Sequence, residues 1–288
     1  MRRPPVLTNP RSERIRKVRA LGGRSARKKT GRILVEGPQA VRELVTHRGG
    51  DVVDVYFEES LFGGDLYEAA SLATRWVHLV DEDVARAISP DCQGVAAVAK
   101  VSAIIQDRQQ ISSLPVKANS FAVALPETQD PGNAGTIIRS AAAFGAEAIF
   151  LGKGSVDPTN PKVIRSSTGS VFQVPIFTVD LGEAASQFAG GGATVLGAAG
   201  GPGTENLDTL LVGAVCLEGG SLDFAPANPL VGTHIWVFGN EARGLSRDVE
   251  GACDLLVSIP IAAKVESLNA AAAAAICLHA SHLSAEGL

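Results

Sequence analysis

The sequence predicts an α/β protein: a parallel sheet covered on both faces by helices, preceded by a smaller α/β unit. Three observations lead there. From about residue 119 onward the apolar runs FAVAL, EAIFL, VPIFTV, ATVLGAA, HIWVF and LLVSIP do not alternate with polar residues, and helical stretches separate them. Strands of that kind are buried on both sides, as parallel strands are. Between Ile33 and Ile105 strand and helix patterns alternate again, which implies an α/β sandwich. The polar stretch QDRQQISSLPVKANS, 106–120, lets apolar periodicity lapse and carries Pro115, so it reads as a linker.

In chain order, a helix near Arg11 to Leu21 is expected to stop at Gly22-Gly23. Strand RILVEG comes next, then helix PQAVRELVTH with Pro38 in its first turn, strand DVVDVYFE, a helix near Tyr67 to Thr74, strand VHLV, helix DEDVARAI and strand GVAAVAKV. The expected domains are a basic leader, 1–32, an α/β unit, 33–105, a linker, 106–118, and the parallel-sheet domain, 119–288.

Composition narrows the function. Hydrophobic residues make up 45% and charged residues 19% of 288, the balance of a soluble globular protein. No apolar run reaches the roughly 18 residues of a membrane span, and the charged start MRRPPVLTNPRSERIRKVR lacks the apolar core of a secretory signal. Cys92, Cys216, Cys253 and Cys277 show no C-x-x-C spacing, which suits structural thiols in a reducing cytoplasm rather than a metal site or disulfide framework. The net charge of −4 hides an asymmetry: residues 1–32 carry 12 Lys/Arg against Glu13 alone, and the rest of the chain is strongly acidic. A basic segment on an acidic body is either a solvated tail or a nucleic-acid footprint acting through phosphates.

In a parallel sheet ligands sit outside the carboxyl ends of the strands, and three strand-end loops there carry polar chemistry. In PETQDPGNAGTIIRS, Pro131 and Gly132 are expected to set a tight turn, Gly135 a close backbone approach, and Asn133 the cap of the next helix. Arg139 lies off the apolar face made by Ile137, Ile138, Ala141 and Ala142. It is either a solvent-facing helix arginine or one whose fork reaches the crevice to grip a phosphate. In HIWVFGNEARGLSRD, Gly239 is placed where a missing side chain lets a ligand press on backbone, Glu241 and Arg243 come after it, and Gly244 bends the chain. In LLVSIPIAAKVESLNAAAAAAICLHASH, the strand ends at Pro260. Ser267 is the expected N-cap, and six alanines permit close packing on more than one side, as at a subunit interface.

Together DPGNAGTIIRSAAAFGA, FGNEARGLS and IPIAAKVESLNAAAAAAICL resemble, in order and spacing, the motifs of the SpoU (TrmH) family of RNA ribose 2′-O-methyltransferases. KVIRSSTGSVFQVPI, 162–176, resembles the family's segment between the first two. The likeness covers 119–288. GRILVEGPQAVREL and QGVAAVAK more loosely resemble the RNA substrate-binding domain that many members carry in front. The resemblance implies a SPOUT methyltransferase domain whose end is threaded as a deep trefoil knot, an exception to ordinary connection rules. It implies S-adenosylmethionine bound in that knot and a homodimer built across the site, with no metal. Carried to matching positions, Gly239, Asn240, Gly244, Ile259, Pro260 and Leu268 would contact the cofactor, while Asn133, Arg139, Glu241, Ser267 and Asn269 would be catalytic.

One departure from the family pattern is the long glycine- and proline-rich stretch 200–232, expected to be a surface loop bordering the pocket. DPGNAG lacks the G-x-G-x-x-G fingerprint of a nicotinamide enzyme, and no cysteine falls in a motif loop to attack a pyrimidine carbon. The expected partner is RNA, ribosomal before transfer RNA. The alternatives are a tRNA 2′-O-methyltransferase and a non-catalytic RNA-binding protein that kept the fold.

Overall fold

The computed structural model describes residues 3–216 and 228–286. Its chain divides into two units, Met1–Ile105 with Asp157–Gln173, and Gln106–Val156 with Val174–Leu288. The first begins with β1 (Val6–Leu7), α1 (Glu13–Ala20) and α2 (Arg24–Thr30), followed by β2 (Arg32–Glu36), α3 (Pro38–Arg48), β3 (Val52–Glu58), α4 (Asp65–Ala73), β4 (Val77–Val80), α5 (Glu82–Ile88) and β5 (Val95–Lys100). The sheet order is β1-β4-β3-β5-β2, with β5 antiparallel to both its neighbours and the other pairs parallel.

The basic leader is part of this unit and not a tail. Ser12 caps α1 by accepting a hydrogen bond from the Ile15 amide. Ile15, Val18 and Leu21, at helical spacing, then enter one core with Tyr56, Val80, Val84 and Val98. Arg27 on α2 is only 4% exposed. Its guanidinium donates to the Leu21 and Gly22 carbonyls, to Thr159 and, at 2.9 Å, to Asp157. Burial alone would raise the Asp157 carboxyl, but hydrogen bonds from Thr159 and Arg27 outweigh it and hold the group below its usual range.

The second unit runs β6 (Phe121–Leu125), α6 (Pro131–Ala143) and β7 (Ile149–Leu151). The chain next forms α7 (Pro161–Ser166), which belongs to the first unit, where Arg165 pairs with Glu36. It resumes the second unit with β8 (Ile176–Thr178), α8 (Leu181–Gln187), β9 (Thr194–Ala198), β10 (Glu205–Asn206), α9 (Leu207–Cys216), β11 (His234–Val237), α10 (Arg247–Glu250), β12 (Leu255–Ser258) and α11 (Ala270–Glu286). Every pairing in the order β10-β12-β9-β11-β6-β7-β8 is parallel, and β6, β7 and β11 are buried along their whole length. The segment expected as a linker forms helical turns at Arg108–Ser113 and puts Ile111 into the second unit's core beside Leu181 and Phe188. The stretch 200–232, expected as a loop, contains β10 and α9; its residues 217–227 lie outside those described. Among the described residues no helix is long and apolar enough to cross a membrane, and no group of His, Cys, Asp and Glu side chains could hold a metal ion.

The centre of this sheet is tied to the last helix by a buried polar relay. His234 Nδ1 faces the Gly232 carbonyl at 2.8 Å, so it carries the proton and donates. Nε2 is then the acceptor for the Ser281 hydroxyl at 2.7 Å, and the Trp236 indole N–H donates to the same Ser281 oxygen at 2.8 Å. Each polar atom has a partner, so α11 is fixed on β11 at one register. Burial depresses the His234 pKa from 6.5 to about 4. The unfolded chain therefore binds a proton that the folded chain refuses between these values, and stability falls as pH drops from about 6.5 towards about 4. We expect His234→Gln to flatten this acid limb of the denaturation free energy by close to one proton; an unchanged slope would mean that other groups govern it.

Candidate functional site

Both polar loops expected to cap helices are arranged differently from the sequence reading, and the difference builds the site. Pro131 is the first residue of α6, where its missing N–H is harmless. Asn133 does not cap this helix: Asp130 does, its Oδ1 accepting from the Asn133 amide at 2.7 Å. Likewise α11 starts at Ala270 and is capped by Asn269, which accepts from the Ala271 and Ala272 amides, and not by Ser267. Because Asn133 is one turn inside its helix its side chain is free, and its Oδ1 accepts a hydrogen bond from Asn269 Nδ2 at 3.1 Å. The first and third loops meet through this amide pair.

The second loop is locked to the first. Glu241 accepts from the Asp130 amide at 3.2 Å and more weakly from Gln129 at 3.5 Å. Asn240 donates to the Glu127 carbonyl, and Ser246 to the Glu127 carboxylate. Asn240 and Gly244 exchange two backbone hydrogen bonds of 2.8 Å, turning the loop back on itself, with Gly244 at φ +69°. Gly239 has a reason to be glycine besides the one expected. A Cβ there would fall 2.3 Å from the Gly244 backbone, so the space a side chain would need is filled by the loop itself.

The second and third loops, with the end of β9, line a cavity of about 280 Å³ at the carboxyl ends of β9, β11 and β12; no residue of the first loop is in its lining, and neither is Asn269. Gly239, Asn240, Gly244, Ile259 and Leu268 line it, as do Glu241 and Ser267. Pro260 does not; its neighbours Ile259 and Ile261 do. Glu266 of the third motif also lines the wall, as does the β9 end Ala198–Gly200, which no motif marked. Arg139 is not in the lining. It is exposed on α6, and among the described residues it has no hydrogen-bond or ion-pair partner. Cys253 and Cys277 stand off the site, and burial raises both thiols, to about 11 and about 12, so neither is a thiolate nucleophile at neutral pH.

The loop's close packing sets an expected outcome. Gly239→Ala should destabilise the fold by about 1–3 kcal/mol through overpacking, read from denaturant midpoints. A loss too small to measure would show that the 239–244 loop opens freely.

Comparison with known proteins agrees with this geometry. The model of the SpoU rRNA Methylase family matches residues 120–279. A 23S rRNA uridine 2′-O-methyltransferase of Streptomyces viridochromogenes is 30% identical over 268 residues, 90% of this chain and 85% of that protein. A 23S rRNA guanosine 2′-O-methyltransferase of Bacillus subtilis is 25% identical over 275 residues, 95% of this chain and 97% of that protein. The solved structure of the SpoU methyltransferase AviRb from Streptomyces viridochromogenes, in complex with the cofactor AdoMet, gives a TM-score of 0.74 at 28% identity, over 94% of this chain and 98% of that one. With all three strand-end loops and the cavity inside the matched region, this chain belongs to the SpoU rRNA methylase family.

Proposed function

We propose that the chain transfers the methyl group of S-adenosylmethionine to a ribose 2′-hydroxyl of RNA, ribosomal RNA before transfer RNA, in the cytoplasm. The observation that carries this reading is the cavity at three strand ends, whose two lining loops are tied to the first loop through Glu241 and through the Asn133–Asn269 pair. The names of the relatives, both 23S rRNA 2′-O-methyltransferases, and the AdoMet held by AviRb support it.

The lining suits the cofactor. Val257, Ile259, Leu268 and Phe238 offer apolar walls for a flat base, backbone amides and carbonyls stand at the strand ends, and Glu241 and Glu266 supply negative charge for a cationic ligand. At Gly200 and Gly244 a Cβ would meet nothing within 4 Å, so both leave room on the cavity side. When bound, S-adenosylmethionine supplies a methyl group on a positively charged sulfur, open to in-line attack by an oxygen nucleophile.

The chain's own residues then align the ribose. Glu241 keeps the 129–130 backbone in place, Asn269 and Asn133 join the cofactor loop to α6, and Ser267 stands at the cavity mouth as a hydrogen-bonding group. Arg139, on the same helix as Asn133 and about 9 Å further along its axis, grips the adjacent phosphate and stabilises the developing alkoxide. A guanidinium, with a pKa above about 12, does not accept the hydroxyl proton; that proton passes to a phosphate oxygen or to water. The first unit serves as the RNA-binding domain, and the end of the second is knotted as in the family.

The active form is a homodimer. The loop 261–268 exposes Ile261, Val265 and Leu268. On α11, Ala271, Ala274, Cys277 and Leu278 are buried while Ile276 is 42% exposed, an apolar helix with one face uncovered.

The direct test is transfer of labelled methyl to ribosomal RNA with mapping of the modified ribose; failure to bind S-adenosylmethionine in calorimetry would favour a non-catalytic scaffold. Arg139→Ala should lower kcat by roughly 10²-fold or more, and Arg139→Lys should recover less than about a tenth of the rate if the two-pronged fork matters; near-normal turnover with lysine would reduce the requirement to a point charge. Ile276→Glu should convert a dimer into a monomer in light scattering, and a variant that stays dimeric would move the interface elsewhere.

A further inference from the structure

The chain has two tryptophans, and they are placed oppositely. Trp236 is fully buried in β11, whereas Trp76, just before β4 in the first unit, is 49% exposed. Isolated exposed apolar residues are ordinary on a protein surface, but this one is not isolated. The Arg75 guanidinium lies 5.0 Å from the centre of its ring. The Trp76 carbonyl continues the β3–β4 ladder by accepting from the Val55 amide, so alternation puts Trp76, His78 and Val80 on one face of the sheet. Val80 packs there with Ile15 and Val18 of α1, and Arg14 of α1 reaches His78 at 3.3 Å.

That face ends in unbalanced positive charge. At this end the acids are engaged: Asp54 accepts from His78 at 2.8 Å, Glu13 pairs with Lys17 at 2.8 Å and Asp51 accepts from Ser102 at 2.8 Å, while Glu36 and Glu58 lie at the opposite ends of β2 and β3. Arg32 of β2 and Lys100 of β5 share the face with Leu34 and Val98, and they stand directly opposite each other in the antiparallel register. Like charges at such a pair repel. Neither they nor Arg75 has a carboxylate partner among the described residues. From β4 to β2 the face spans on the order of 15 Å.

We propose that the exposed end of this face receives unpaired RNA, with one base stacked on Trp76 and flanking phosphates held by Arg75, Arg14 and the Arg32–Lys100 pair. The inference rests on the reading of RNA as the substrate and adds how the first unit meets it. A flat aromatic ring takes any base on its own face, while the surrounding cations track the backbone. A duplex, whose bases are already stacked, has no base to offer. The mutual repulsion of Arg32 and Lys100 is relieved once a polyanion sits over them.

The test uses intrinsic fluorescence of the full chain without cofactor, titrated with an oligouridylate of about twelve nucleotides and separately with a blunt RNA duplex of the same length. Because Trp236 is buried, a change in emission reports on Trp76. The single strand should quench and the duplex should not. Trp76→Ala should weaken single-strand binding roughly 5- to 150-fold when followed by anisotropy, and Trp76→Phe should restore most of it. Arg32→Gln with Lys100→Gln should shallow the salt dependence. Unchanged affinity in Trp76→Ala, no quenching by the oligouridylate, or equal quenching by the duplex would overturn the inference. Methyl transfer is assayed apart. Quenching without transfer would sink the enzymatic reading and spare the platform, while transfer with an indifferent Trp76→Ala would do the reverse.

Discussion

The site depends on one steric constraint, the doubling back of the chain at the end of β11. Gly239 has the Gly244 backbone where a side chain would be, Gly244 adopts a left-handed conformation, and two hydrogen bonds between Asn240 and Gly244 close the turn. A residue with a Cβ at either position would strain the turn and displace the side chains it carries. Chief among these is Glu241, whose carboxylate reaches two amides of the neighbouring strand-end loop. The loop's backbone thus forms one wall of the cavity, and its one acid holds the first strand-end loop in place beside it.

A second economy lies in the helix starts. A helix N-terminus leaves amides without partners, and a short polar side chain must meet them. Here Asp130 meets them for α6, which frees Asn133, while Asn269 meets them for α11 with its oxygen and keeps its amide nitrogen for Asn133. One residue therefore orders its own helix and bonds to the other loop. Changing Asn269 would loosen a helix start and an inter-loop contact together, so a stability measurement on such a variant reports both.

Much of this was legible in the sequence and some was not, for physical reasons. Buried parallel strands announce themselves as unbroken apolar runs, and all six expected in the second unit form, as do the four expected in the first. The two-residue β1 and the charged helix RSARKKT carried no apolar period to find. Ile111 is a single apolar residue among polar ones, so its place in the core was invisible. The cavity-lining residues of the second and third loops were accessible from strand-end position and family likeness, Pro260 excepted. The caps were misjudged because Asp, Asn and Ser are near equivalents as caps. Choosing among Asp130, Asn133, Ser267 and Asn269 needs the position of the first helical turn to within one residue. The second demand on Gly239, from the Gly244 backbone, was invisible because a backbone approaching from five residues ahead leaves the same mark as an approaching ligand.

Charge is distributed unevenly along the chain. Outside residues 1–32 the chain is strongly acidic, so most of its surface repels a polyanion. The leader's positive charge could have served as a loose tail, in which case its attraction would be spread over many orientations. Instead α1 is anchored by Ile15 and Val18, and α2 by the buried Arg27, so Arg14, Arg16, Arg19, Arg24 and Lys28 are held on fixed helices while remaining exposed. Fixed charges lose little conformational freedom when they bind, and each phosphate contact then carries orientation as well as attraction. An acidic body carrying cations on anchored helices would, under the proposed function, draw RNA to those helices, and the electrostatic part of its affinity would fall with salt.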